Sequence, residues 1–153
     1  MLQALRNQFS AAEVRQCEKE RCKLLLDSLQ SPVLVLDCDR YCGLRGFQGK
    51  ICDFFIFICG STATVAAVEM KSGRDVAATK VVDQIQAGAS EIHCIVGDAQ
   101  AVSFYPILLH SGIKHTNELK VLQNRKVTFR GTKYGIIYKR CGTQLLEILE
   151  QFH

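Results

Sequence analysis

The sequence predicts an α/β protein with a mixed central β-sheet flanked by helices. Two apolar runs support this class, 33–37 (VLVLD) and 51–58 (ICDFFIFI), because their length and their β-branched and aromatic residues are typical of buried strands. A third run, 64–71 (TVAAVEMK), follows after a connection short enough for an antiparallel hairpin. Amphipathic segments stand before and after these runs, so we expect helices on both faces of the sheet.

Length and composition indicate one domain that spans residues 1–153. A chain of 153 residues with 48% hydrophobic and 22% charged residues has the composition of an ordinary globular domain. The first residues lack the apolar core of a signal peptide, and no run approaches the ~18 apolar residues of a membrane span. We therefore expect a cytoplasmic protein without a membrane partner, in which all the cysteines are free thiols.

The first predicted helix covers residues 10–29. Ser10 and Glu13 form a capping-box pattern, helix-favouring residues follow, and a serine-proline pair ends the segment. The 33–37 strand comes next. Residues 40–50 (RYCGLRGFQGK) combine glycines with cations, which indicates a basic loop or turn.

The second half of the chain contains a further helix and short strands. Apolar residues recur at helical spacing from Asp75, placed as an N-cap, to Ala89. Residues 92–96 (IHCIV) have the composition of a strand. The segment 99–110 stays unassigned, because Pro106 interrupts what is otherwise a helical pattern. Two strands at 127–129 and 134–138 and a helix over 143–152 complete the prediction.

Three charged side chains are expected to converge at one end of the two central strands. Glu69 and Lys71 lie two residues apart on the run 64–71 and therefore point to the same face. Asp53, the one charge in the run 51–58, lies beside them if the hairpin pairs as predicted. Two carboxylates in so apolar a setting are costly to bury unless a cation binds them. The sequence thus predicts a cation site.

A second Glu-x-Lys sequence, Glu118-Leu-Lys120, lies in a polar, helical stretch with no strand-borne acid before it. Glu-x-Lys alone therefore carries little information, and an exposed ion pair is the better explanation of a single copy taken by itself. The strand setting and the nearby Asp53 distinguish Glu69 and Lys71 as the candidates.

Mg²⁺ or Mn²⁺ is the cation that these residues suit. Mg²⁺ prefers octahedral oxygen coordination and keeps several waters, so the protein needs to supply no more than two carboxylates and one backbone carbonyl as ligands. We expect Asp53, Glu69 and the carbonyl of Met70 as ligands. Lys71 is placed to orient a water molecule or to balance charge on a phosphate.

This arrangement resembles the PD-(D/E)xK nuclease superfamily, in which an acid on one strand precedes acid-x-lysine at the end of the next strand and then a helix. The resemblance covers residues 10–96 and implies a restriction-endonuclease-like core. It also implies a Mg²⁺-dependent phosphodiester hydrolase, in which Asp53 and Glu69 bind the metal and Lys71 is the catalytic lysine.

Further residues follow from the same resemblance. Gln84 matches a glutamine that some branches carry in the helix after the lysine, and it joins the catalytic set. Glu13 or Glu18 is the candidate for an acid of the first helix. Cys52 departs from the pattern, because a proline often precedes the first acid.

Positive charge is concentrated between residues 114 and 140, where eight cations accompany one acid. Such a stretch binds phosphates by releasing counterions, although solvated faces of strands and loops have the same composition. The candidate nucleic-acid contacts, in this stretch and near the site, are Arg45, Lys50, Lys80, Arg125, Lys126, Arg130 and Lys133.

The resemblance favours an endonuclease that acts on DNA, as a homodimer or within a larger complex, since so short a chain covers little of a duplex. A catalytically inactive nuclease-fold subunit that binds nucleic acid or assembles with a larger complex is the alternative, and an unrelated α/β interaction domain is a third hypothesis. Zinc binding at Cys38 and Cys42 is a weak alternative, because no histidine stands at zinc-finger spacing.

Overall fold

The computed structural model describes residues 1–152. Its helices are α1 (Leu2–Phe9), α2 (Cys38–Arg45), α3 (Ala78–Val96), α4 (Thr116–Asn124) and α5 (Leu145–Gln151), with a short 3-10 helix at Ser10–Ala12. Its strands are β1 (Glu13–Val14), β2 (Cys17–Lys19), β3 (Cys22–Leu24), β4 (Val33–Asp37), β5 (Phe54–Cys59), β6 (Ala63–Lys71), β7 (Val102–His110), β8 (Lys126–Phe129), β9 (Thr132–Gly135) and β10 (Ile137–Arg140).

Six of these strands form one mixed sheet in the order β1-β4-β5-β6-β7-β10. The pairs from β1 to β6 are antiparallel, whereas β7 runs parallel to both β6 and β10. Two short hairpins, β2–β3 and β8–β9, lie outside this sheet. The α/β class with a mixed central sheet is therefore confirmed, and so is the antiparallel hairpin of β5 and β6.

The side chains of β5 alternate between two apolar layers. Phe55 and Phe57 are buried in one layer, and Phe54, Ile56 and Ile58 are buried in the other. Because successive strand residues point to opposite faces, a strand covered on both faces needs a continuous apolar run. The sequence FFIFI meets this requirement.

Helices cover both faces of the sheet. The first layer packs under α1, α2, α3 and α4, and α3 faces it with Val81, Ile85 and Ile92 at helical spacing. The second layer packs under α5, through Leu145 and Ile148, and under the hairpin β2–β3. Within residues 1–152, no helix combines the length and the apolar character that crossing a bilayer requires.

Gly88 lets α3 approach the sheet closely. A Cβ atom at this position would lie 2.5 Å from Sγ of Cys52 and 3.3 Å from a ring carbon of Phe55. Such contacts are shorter than close packing allows, so a larger residue does not fit without movement. The close approach bears on the site because Gly88 follows Gln84 by about one helical turn.

The predicted helix over 10–29 is wrong. The segment forms β1 and the hairpin β2–β3, in which Cys17, Cys22 and Leu24 are buried against the sheet. Glu13 lies in extended backbone and pairs with Arg6 at 3.0 Å instead of completing a capping box. Burial of the hairpin overrides the helical propensity of the segment.

The predicted basic loop over 40–50 is also partly wrong, because α2 extends to Arg45. The side chain of Asp37 accepts a hydrogen bond of 3.0 Å from the backbone N–H of Arg40 and caps the helix. Gly46, with a φ of 63°, ends it. Asp37 is both the last residue of β4 and the N-cap of α2, and the sequence prediction used only its place in the strand.

Two predictions near α3 need correction. The helix begins after Ala77 rather than Asp75, and it continues to Val96, so 92–96 is helical and not a strand. The unassigned segment contains β7, which includes Pro106 opposite Ala67. Strand β10 pairs only with residues 107–110, so β7 has a single neighbour at the proline and tolerates it as an edge strand does.

The C-terminal predictions hold in part. The strand at 127–129 and the terminal helix are confirmed as β8 and α5, but the predicted strand over 134–138 is divided between β9 and β10. The expectation of free thiols is wrong for Cys22 and Cys141, which form a disulfide that joins the hairpin β2–β3 to the end of β10. The other six cysteines are free.

Candidate active site

One cleft brings the predicted catalytic side chains together. It has a volume of about 350 Å³ and lies where β5 begins, where β6 ends and where the first turns of α3 pass. We call it the site cleft, and its lining residues are Lys19, Asp39, Cys42, Gly49, Lys50, Ile51, Asp53, Glu69, Lys71 and Gln84. The convergence expected for Asp53, Glu69 and Lys71 is thus present in the structure, and Gln84 lines the same cleft.

Asp53 lies immediately before β5 and is held in place by three hydrogen bonds to the backbone of other residues. Its Oδ2 accepts a hydrogen bond of 2.7 Å from the backbone N–H of Met70, on the neighbouring strand. Its own N–H donates to the carbonyl of Val68 at 2.9 Å, and its carbonyl accepts from the N–H of Cys38 at 2.9 Å. The antiparallel pairing of β5 and β6 therefore places this carboxylate beside the Glu69 position.

Glu69 is buried, with a side chain only 1% exposed. Its Oε1 pairs with Nζ of Lys71 at 2.7 Å, as expected for residues on the same strand face. Its Oε2 is buried and has no hydrogen-bond partner among the described residues. Burial, and to a lesser extent the charge of Asp53, raise the pKa of Glu69 to about 7, although Lys71 and Lys19 oppose this change.

Lys19 reaches the site from the N-terminal hairpin and was not predicted. It forms an ion pair with Oδ1 of Asp53. Burial alone lowers the pKa of Lys19, but the hydrogen bond and the charge of Asp53 outweigh it, so the pKa is raised. The chain turns back directly after Lys19, at Glu20, which has a φ of 54°. Because no Gly, Asn, Asp or Pro marks this turn, the sequence carries no signal for the hairpin.

Gln84 joins the site from α3. Its side chain lines the site cleft, and its backbone carbonyl accepts a hydrogen bond of 3.1 Å from the N–H of Cys52. This bond ties the helix to the residue immediately before Asp53. Met70 donates its N–H to Asp53 while its side chain is buried in the opposite layer, so only its backbone faces the site.

The residues present fit a hard divalent cation. Within residues 1–152 there is no group of three or more His, Cys, Asp or Glu side chains suited to a metal, and Cys38 and Cys42 belong to none. Mg²⁺, however, needs only one or two carboxylates and keeps its waters. The unpartnered Oε2 of Glu69, beside Asp53, is the kind of buried oxygen that a bound cation satisfies.

The predicted cationic contacts fall into two groups. Lys50 and Lys80 line an adjacent cleft of about 470 Å³ together with Lys71 and Gln84. The others line neither this adjacent cleft nor the site cleft: Arg45, Arg125, Lys126, Arg130 and Lys133.

Arg130, one of the predicted nucleic-acid contacts, lies far from the site cleft. Its guanidinium donates to the carbonyls of Gly97 and Gln100, at the end of α3 remote from Gln84. Glu13 and Glu18, the candidates for an acid of the first helix, also lie outside the site cleft. The cations that line the site cleft are Lys19, Lys50 and Lys71, and none of them belongs to the basic stretch.

Comparisons of the chain with models of known protein families, with curated proteins and with solved structures found no match.

Proposed function

We propose that this chain is a metal-dependent nuclease that hydrolyses phosphodiester bonds, with DNA as the expected substrate. The observation that carries the proposal is the buried, unpartnered Oε2 of Glu69, which lies in one cleft with Asp53, Lys71 and Gln84. The order β4, β5, β6, α3, β7, with three antiparallel strands followed by a helix and a parallel strand, supports a restriction-endonuclease-like core.

Asp53 and Glu69 are the side chains that would hold Mg²⁺ or Mn²⁺, with the carbonyl of Met70 as the predicted third ligand. Such an ion, when bound, polarises the phosphate and makes water a better nucleophile. Asp53 is positioned for this role by the N–H of Met70, which fixes one carboxylate oxygen and leaves Oδ1 facing the cleft.

Lys71 supplies the positive charge of the site. Its Nζ is held by Oε1 of Glu69, and its side chain is 33% exposed, so it faces both the carboxylates and the cleft. An ammonium group in this position stabilises the negative charge that develops on a phosphate under attack. Gln84, which also lines the site cleft, offers an amide that can orient water or substrate by hydrogen bonding.

Cations around the two clefts support a nucleic-acid substrate. Lys50 lines both clefts, Lys80 lines the adjacent one, and both side chains are exposed. A strand that follows these cations would bring its phosphates past Glu69.

A second candidate is a catalytically inactive nuclease-fold subunit that binds nucleic acid. The ion pair between Lys19 and Asp53 favours it, because an ammonium group already neutralises one of the two carboxylates. Binding of DNA that depends on salt but not on Mn²⁺, without cleavage, is the behaviour expected of this candidate.

Cleavage of supercoiled plasmid and of linear single-stranded DNA with Mg²⁺, with Mn²⁺ or with a chelator tests the proposal. Lys71→Ala is expected to reduce cleavage by about 10²–10³-fold. Lys120→Ala is the matched control, because it belongs to the other Glu-x-Lys sequence and is exposed on α4. Cleavage that persists in Lys71→Ala, or that needs no divalent ion, rejects the proposed site. Nicking of the closed circle identifies an endonuclease.

A further inference from the structure

Both carboxylate oxygens of Asp53 are engaged. Oδ2 accepts from the N–H of Met70, and Oδ1 pairs with Nζ of Lys19. Asp53 is only 7% exposed, whereas the side chain of Lys19 is 46% exposed. The contact of Oδ2 is made by the backbone of the neighbouring strand β6, whereas the contact of Oδ1 depends on the long side chain of Lys19 at the cleft wall.

Lys19 is delivered by the hairpin β2–β3, which is fixed at several points. Glu20 accepts a hydrogen bond from Ser72, just beyond β6. The backbone N–H of Gly142 donates to the carbonyl of Lys23 at 2.7 Å, next to the disulfide of Cys22 and Cys141. The backbone position of Lys19 is therefore set by the fold, and only its side chain is free to leave Asp53.

We propose that Lys19 is an internal counter-ion of Asp53 that a divalent cation must displace before it binds the site. This inference rests on the proposed function, because it concerns the same two carboxylates. An ammonium group and a divalent ion repel each other at contact distance, and Oδ1 is the only oxygen of Asp53 not held by backbone. Metal binding and the Lys19 ion pair thus exclude each other.

Two consequences follow for the site. Without metal, Lys19 pairs with Asp53 and Lys71 pairs with Glu69. The two ammonium groups therefore offset the repulsion between the two buried carboxylates. With metal, the ammonium of Lys19 is released at the wall of the site cleft, where it is available to a phosphate of the substrate.

Titration calorimetry with Mn²⁺ alone tests the inference on wild type, Lys19→Met and Lys23→Met. Lys23 is the matched control, because it lies on the same hairpin opposite Glu18 and does not line the cleft. We expect Lys19→Met to bind Mn²⁺ about tenfold or more tightly than wild type, and Lys23→Met to match wild type. A second measurement on wild type is amine acetylation followed by mass spectrometry, in which Mn²⁺ should increase labelling of Lys19 but not of Lys23.

The outcomes separate this inference from the proposed function. Wild type that binds Mn²⁺ while Lys19→Met binds it equally or more weakly overturns the role of Lys19 and leaves the nuclease proposal standing. Absence of Mn²⁺ binding in both proteins overturns both. Tighter binding in Lys19→Met, together with metal-dependent exposure of Lys19, supports the displacement.

Discussion

The backbone N–H of Met70 donates a hydrogen bond of 2.7 Å to Oδ2 of Asp53, so the strand that carries Glu69 also holds the second carboxylate in place. Asp53→Asn keeps an oxygen for this bond but loses the charge. We expect it to fold normally while metal binding and cleavage fall by about 100-fold or more.

Asp53→Ala provides the comparison. It leaves the N–H of the buried Met70 without its acceptor, so the free energy of unfolding should fall by about 1–3 kcal/mol. Thermal or urea unfolding of the two variants measures the difference. Equal stability of Asp53→Asn and Asp53→Ala would show that the bond to Met70 contributes little.

The raised pKa of Glu69 predicts how stability depends on pH. Its usual value is 4.5 and its folded value is about 7, so in this interval the folded protein binds a proton that the unfolded chain has lost. The contribution of Glu69 to stability is therefore complete below pH 4.5 and is lost as the pH rises through about 7. Urea unfolding of wild type and Glu69→Gln across this range should show a steeper decline in wild type. Parallel curves would contradict the assignment.

Gly88→Ala tests the contact between α3 and the sheet. The added Cβ meets Sγ of Cys52 at 2.5 Å, so the free energy of unfolding should fall by about 1–3 kcal/mol. The double variant with Cys52→Ala removes the sulfur and should recover part of this loss. Gly43→Ala in α2 is the control, because its added Cβ meets no atom within 4 Å apart from its chain neighbours and its own helix backbone. This variant should be neutral or slightly stabilising.

Reduction of the disulfide between Cys22 and Cys141 should destabilise the protein. The two cysteines are 119 residues apart, and loss of such a cross-link lowers the free energy of unfolding by about 2–5 kcal/mol. Unfolding with and without dithiothreitol measures this effect. Cys59→Ser removes an exposed free thiol and should respond to the reductant as wild type does, whereas Cys141→Ser should not respond.

The cations that line the clefts should bind DNA more strongly than those of the basic stretch. Lys50→Ala and Lys80→Ala are each expected to weaken binding and to lower the salt dependence by about one counterion. Lys133→Ala, on β9 and outside both clefts, is the control. Fluorescence anisotropy over a range of salt concentrations measures the DNA affinity of each variant. A larger loss of affinity in Lys133→Ala would indicate that the hairpin β8–β9 is the binding surface instead.

The parts of the fold that the sequence predicts correctly are those that local periodicity determines. The run FFIFI and the strand that ends in Glu69 and Lys71 form as expected, and they bring Asp53 and Gln84 to the same cleft. The strand predicted over residues 92–96 was wrong because a short apolar run is equally compatible with a strand and with a buried helix. Nothing near Lys19 indicates Asp53 as its partner, because the hairpin is positioned by residues 141–145, far along the chain.

Both borders of the central sheet are short. The edge strand β1 is two residues long and the edge strand β10 is four residues long, and β10 ends with the cations Lys139 and Arg140. Short, charged borders resist edge-to-edge association, which protects a protein with such apolar inner strands from aggregation. A self-association of this chain should therefore use its helical surfaces or its clefts, and the sheet should not continue from one copy into the next.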